Sequence, residues 1–202
     1  GKDGVLVAGG VHTDGTSDWE VAATSFAVGL TGSVDRLGDM EPVAAHAMVA
    51  LDNGDVLAFG GVEGDGSGHL FSSTLPATSR VQRLDVESGT WSTVGQMRIA
   101  RAGLTATMLD GRYVLLAGGV ASWGPLAFDD SANSCVELYD VDNDSSVMLD
   151  GCQEGDVAGG LASPSQSPVA LFDPAFGVLF AGGIDGANGA NATTAFYALP
   201  RD

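Results

Sequence analysis

The chain has 202 residues, 45% of them apolar and 30 of them Gly, with 26 Asp and Glu against 8 Lys and Arg and a net charge of −18. That length suits one medium domain with a sizeable core; the apolar content excludes a disordered chain, and glycines without a three-residue period exclude collagen. Nucleic acid is excluded as a partner because it is bound by cationic side chains, and membrane insertion because no apolar run approaches the roughly 20 residues a spanning helix needs.

The predicted elements repeat along the chain. The first unit (residues 1–40) opens on VLVAGG at 5–10, an apolar run too short for a helix and bounded by turn residues, which reads as a buried strand. It is followed by SFAVGL at 25–30 and SVDRLGDM at 33–40. The second unit (41–97) begins with AAHAMVALDNGD at 44–55, repeats the Gly-pair strand as VLAFGG at 56–61, and closes with RVQRLDVESGTWSTVGQM at 80–97, a strand, a tight turn and another strand. The third unit (98–152) has LTATMLDGRY at 104–113, VLLAGG at 114–119 and CVELYDVDNDSSVMLDGC at 135–152. The fourth (153–202) has SPVALFDPAFG at 167–177, VLFAGG at 178–183 and a strand at 195–199. The first glycines of the pairs lie 51, 58 and 64 residues apart, the period of a β-repeat with variable loops. Naming the strands a to d, with b carrying the Gly pair, the expected order is b c d, then a b c d twice, then a b c. Much of the Asp sits in turns such as Asp52-Asn53-Gly54 and Asp110-Gly111, so the acidity is partly turn chemistry.

These units resemble the kelch repeat, in which a Gly pair ends the second strand, a Tyr-Asp pair ends the third and a Trp opens the fourth. The best copy has Gly60-Gly61, Leu84-Asp85 in the Tyr-Asp place and Trp91; the third unit keeps Tyr139-Asp140 but has Val147 in the Trp place. The resemblance implies an all-β fold, a β-propeller of four-stranded antiparallel blades. About four blade units are present, the first and last incomplete. A β-sandwich is the runner-up, but it would not need a Gly pair at the same place in every unit. A chain that opens without Met or a basic leader and stops after a c strand is expected to be part of a longer propeller. A self-closed four-bladed ring and two copies sharing one ring are the alternatives.

The four b-to-c connections (11–24, 62–79, 120–134 and 184–192) join equivalent strand ends and should emerge on one face. Long connections on a rigid scaffold are where binding concentrates. They carry His12, Asp14, Trp19, Asp65, His69, Trp123, Asp129 and Asp130, the candidate binding residues. Trp19 and Trp123 lead, since an exposed aromatic offers a flat surface to a sugar or a protein. Cys135 and Cys152 bracket one strand-turn-strand hairpin, whose ends are neighbours, so a disulfide between them is expected. That favours a secreted, periplasmic or cell-surface protein. Asp140, Asp142 and Asp144 alternate like the opening of a calcium loop, but Ser145 and Gly151 stand where such a loop needs Gly and Glu, so turn chemistry is the preferred reading. No Cys-x-x-Cys or His pair suggests zinc, and no cofactor is expected.

The function expected is a non-catalytic module that presents the connections to a protein or glycan, with the rest of its propeller or a second copy as a further partner. An enzyme whose groups lie partly in other blades, an oxidase or hydrolase, is one alternative. A structural subunit of an extracellular assembly is another.

Overall fold

The computed structural model describes residues 4–13, 15, 19–64, 74–123, 133–149, 167–184 and 194–197. Over these residues the chain is all-β, made of antiparallel sheets without a helix. The first unit contains β1 (Gly4–Ala8), β2 (Val11–Thr13), β3 (Trp19–Val21), β4 (Ser25–Gly29) and β5 (Val34–Arg36). The second contains β6 (Ala47–Ala50), β7 (Val56–Phe59), β8 (Leu75–Pro76), β9 (Arg80–Asp85) and β10 (Thr90–Gln96). The third contains β11 (Ala102–Met108), β12 (Tyr113–Val120), β13 (Ser122–Trp123), β14 (Val136–Asp140) and β15 (Ser145–Met148), and the fourth β16 (Val169–Asp173), β17 (Gly177–Ala181) and β18 (Thr194–Tyr197). Each unit is one meander: β1-β4-β5, β6-β7-β9-β10, β11-β12-β14-β15 and β16-β17-β18. The strands expected as a to d pair in that order, and among the described residues the first sheet lacks a and the fourth lacks d.

Both residues of every Gly pair have positive φ, about the same in each copy: +61° and +95° at Gly9 and Gly10, +61° and +99° at Gly60 and Gly61, +70° and +91° at Gly118 and Gly119, and +70° and +98° at Gly182 and Gly183. Only Gly occupies such conformations without steric cost. In units 1 and 2 the pair turns the chain out of the b strand and against the next unit: Gly10 donates its N–H to the Val43 carbonyl (2.8 Å) and Gly61 to the Arg101 carbonyl (2.9 Å). A Cβ on Gly9 would lie 2.5 Å from the Val43 oxygen, closer than real atoms come. A second repeated link joins the starts of the a strands. Gly103 donates to the Ala45 carbonyl (2.8 Å) and Ser167 to the Gly103 carbonyl (2.6 Å), and all three residues have φ between +50° and +65° (55°, 61° and 52°).

Side chains directly opposite one another across paired strands share a face, so each sheet has a leading and a trailing face. Leu6 and Ala8 on the trailing face of unit 1 pack with Met48 and Ala58 on the leading face of unit 2. Leu57, Phe59 and Val81 of unit 2 pack with Leu104, Val114, Leu116 and Tyr139 of unit 3, with the Phe59 and Tyr139 rings edge to face at 5.1 Å. Leu115, Ala117 and Val136 of unit 3 pack with Val178 and Phe180 of unit 4. The a strands of units 2, 3 and 4 lie side by side, β6 against β11 and β11 against β16. Trp91, in d of unit 2, reaches back to unit 1, where its Nε1–H donates to Ser25 Oγ at 3.0 Å.

Unit 3 contains a fully buried ion pair. Arg101, just before β11, donates to Glu137 Oε1 (2.5 Å) and to the carbonyls of Gly118 (3.1 Å) and Cys135 (2.9 Å). Glu137 also accepts from the backbone N–H groups of Arg98 (2.6 Å) and Ile99 (3.0 Å) and from Ser146 Oγ (2.6 Å). Unit 2 solves the same position without charge: Val43 stands where Arg101 does, and Gln82, in the Glu137 place, bonds the Glu41 N–H (2.8 Å) and carbonyl (3.2 Å).

Candidate binding face

The b-to-c connections leave the sheets immediately after the Gly pairs. In unit 1 the connection is a hairpin rather than the irregular loop expected: β2 pairs with β3, matching Val11 with Val21, His12 with Glu20 and Thr13 with Trp19. Between the two strands Gly15 has φ +93°, a conformation that favours Gly. His12 Nε2 lies 3.7 Å from a Glu20 carboxylate oxygen, both side chains well exposed. Trp19 is 36% exposed.

The connections of units 2 and 3 pair with each other. β8 lies antiparallel to β13, with Pro76 opposite Ser122 and Leu75 opposite Trp123, and Ala77 donates to the Ala121 carbonyl at 2.8 Å. Beneath them Val62, Leu75 and Val120 form one apolar cluster with Ala44 and Ala102, and Val21 of the unit 1 hairpin packs against it. Three connections therefore share one small core. Glu63 in the second connection is paired with Arg80 at the start of β9 (2.9 Å). Over their full lengths the four connections contain eight Asp and Glu and no Lys or Arg, so their own charge is uniformly negative.

Of the expected binding residues, His12 and Trp19 thus lie on one hairpin, and Trp123 is in the short ladder that joins two connections. Asp14, Asp65, His69, Asp129 and Asp130 lie outside the described residues. Glu20 was not among the expected residues, although its place five residues after a turn dipeptide and next to Trp19 could have flagged it. His46, before β6, is largely buried beside the Gly pairs; burial holds its imidazole below its usual pKa, and its Nδ1 has no hydrogen-bond partner.

Asp140, Asp142 and Asp144 are each engaged by side chains of the protein. Arg112 engages Asp140 through two bonds (3.1 and 2.7 Å) and sits 3.3 Å from Asp142, while Asp144 accepts from the Tyr139 hydroxyl (3.1 Å). The Arg112 bond, opposed by burial and helped by Asn143 and the Asp142 N–H, holds the Asp140 carboxyl well below the usual carboxylate range. No group of three or more His, Cys, Asp or Glu that could hold a metal occurs among the described residues. Cys135 is fully buried at the entry to β14, and Cys152 lies outside the described residues. No protein-family model and no curated protein matches the chain.

Proposed function

We propose that the chain is a kelch-like β-propeller segment acting as a non-catalytic binding module, which presents its b-to-c connections to a protein or a glycan. The observation that carries this reading is the linkage of three connections: the β2–β3 hairpin, the β8–β13 ladder and the apolar cluster into which Val21, Val62, Leu75 and Val120 all pack. Loops tied together in this way keep their shape and lose little entropy when a partner is bound. Four repeated sheets, with three a strands side by side and Gly pairs at matching positions, support the propeller arrangement. Uniformly acidic connections with Trp19 and Trp123 suit a partner that offers hydroxyls, amides or cations to carboxylates and a flat face to an aromatic ring.

The protein is secreted, periplasmic or on the cell surface in this reading, with Cys135 bridged to Cys152 across the unit 3 hairpin. A gain of two hydrogens in intact mass on reduction tests the bridge. Binding is tested with a glycan array and a pull-down, using the wild-type chain and the Trp19→Ala and Trp123→Ala variants. Removal of a central aromatic should weaken binding by about 2 kcal/mol, on the order of thirtyfold. Equal binding by all three proteins overturns the loop-face reading.

A further inference from the structure

His46 is a polar residue in a place that units 3 and 4 fill with apolar side chains. It follows Ala45, the positive-φ residue that leads into the a strand of unit 2, as Leu104 follows Gly103 in unit 3 and Pro168 follows Ser167 in unit 4. Leu104 is buried in the cluster between units 2 and 3. His46 meets unit 1 in the same way. A Cβ on Gly9 would lie 2.9 Å from the His46 Cε1 and 3.3 Å from Met40 Sδ, and Met40 and Val43 belong to the apolar cluster between units 1 and 2. A Cβ on Gly61 would lie 3.1 Å from the His46 Cβ, so the side chain reaches from one Gly pair to the next. Its Nδ1 is buried and has no hydrogen-bond partner among the described residues.

We propose that His46 makes the contact between units 1 and 2 sensitive to mild acid: the contact holds while the imidazole is neutral and loosens when the ring takes a second proton. A neutral ring can leave Nδ1 as a bare acceptor, with its proton on Nε2, whereas an imidazolium must place an N–H there, buried and without an acceptor. A buried charge or donor left unpaired is costly. The charged groups on the surrounding elements do not compensate. Strands β1, β4, β6 and β7 carry none. The hairpin beyond Gly10 carries His12 and Glu20, exposed and 3.7 Å apart. On the segment leading to β6, Asp39 is paired with Arg36 and Glu41 is exposed. Beyond Gly61, Glu63 is paired with Arg80, and Arg101, whose carbonyl Gly61 bonds, is paired with Glu137. Burial alone accounts for the lowered His46 pKa. A His that binds its proton less well in the closed state gives its full stability above the unfolded pKa, about 6.5, and loses it as the pH falls below that, by at most about tenfold in the equilibrium per pH unit. Loss of negative charge in acid eases the self-repulsion of a chain of net charge −18 and so acts the other way.

Hydrogen exchange of the intact chain at about pH 7 and about pH 5.5, corrected for the intrinsic effect of pH on exchange, tests this. The Gly10 N–H bonds the Val43 carbonyl across the contact. Its protection, with that of β1 and β4, should fall several-fold and by up to about tenfold between the two conditions, while β17 in unit 4 keeps its protection. His46→Leu, which copies Leu104, and His46→Gln, which stays polar and neutral at both pH values, should each abolish the fall, and either one decides if the other does not fold. Unchanged protection in the wild-type chain overturns the proposal, as does a fall that persists in the His46 variants. An equal fall at β17 overturns its assignment to this contact. Val21 of the unit 1 hairpin packs on the cluster shared by the connections, so loosening unit 1 also frees one of them. Any consequence for a partner rests on the binding reading above. The exchange experiment needs no partner, so its failure is distinct from unchanged binding by Trp19→Ala and Trp123→Ala.

Discussion

Arg101 and Glu137 form a buried pair whose halves are unequal in their demands. Burial pushes the Arg101 guanidinium below its ordinary range, the Glu137 charge and hydrogen bond oppose the shift, and the Arg101 Nε has no partner. Removing one member leaves the other charged in the interior, which costs about 3–5 kcal/mol. Arg101→Met should therefore lower the free energy of unfolding in urea by about that amount. The double variant Arg101→Val with Glu137→Gln copies the arrangement that Val43 and Gln82 already use in unit 2, and should recover much of the loss. A double variant as unstable as Arg101→Met would show that the charge pair has a role the neutral pair cannot fill. Neither residue was legible in the sequence as a pair: 36 positions separate them, and only the close approach of the strand entry to β14 brings them together.

At the scale of the element, the Gly pair was fully legible, because its signal is local: a short apolar run, a turn and the same two residues four times over. The structure adds why Gly is required at one member more than at another. A Cβ on Gly61 would meet the Ala44 oxygen at 2.5 Å and Val43 Cγ2 at 2.5 Å, whereas nothing lies within 4 Å of a Cβ on Gly10, though both residues have φ near +95° (99° and 95°). Gly61→Ala suffers both the backbone strain, about 1–3 kcal/mol, and the clash; Gly10→Ala suffers the strain alone. Thermal unfolding of the two variants should show the larger drop for Gly61→Ala, and equal drops would mean that strain alone explains the pair. The hairpin of β2 and β3 was less legible, since strands of three residues carry too little alternation to separate them from a loop.

For the whole molecule, the units touch their sequence neighbours through separate apolar clusters, so stability should be shared out along the row as in repeat proteins. Phe180, 3% exposed, is the larger of the two buried side chains that unit 4 contributes to its described contact with unit 3. Phe180→Ala should cost about 3–5 kcal/mol, and the cost should fall first on unit 4. Hydrogen exchange is then expected to rise in β16 and β17 while β7 and β12 keep their protection. A uniform rise across all four sheets would show instead that the row opens as one cooperative unit.

Sequence by itself determined the all-β class, the four Gly-pair strands, the a-to-d order within each unit and the acidic, aromatic character of the connections, because alternation, turn residues and repeat period are all written in neighbouring positions. Tertiary structure decided what depends on residues far apart in the chain: that β8 and β13 bind two connections together, that Arg112 pairs with Asp140, and that Arg101 and Glu137 meet in the core. It also decided which apolar faces are covered. Val7 and Ala58 stand at the same place in equivalent strands, and only the presence of unit 1 beside unit 2 makes one buried and the other open.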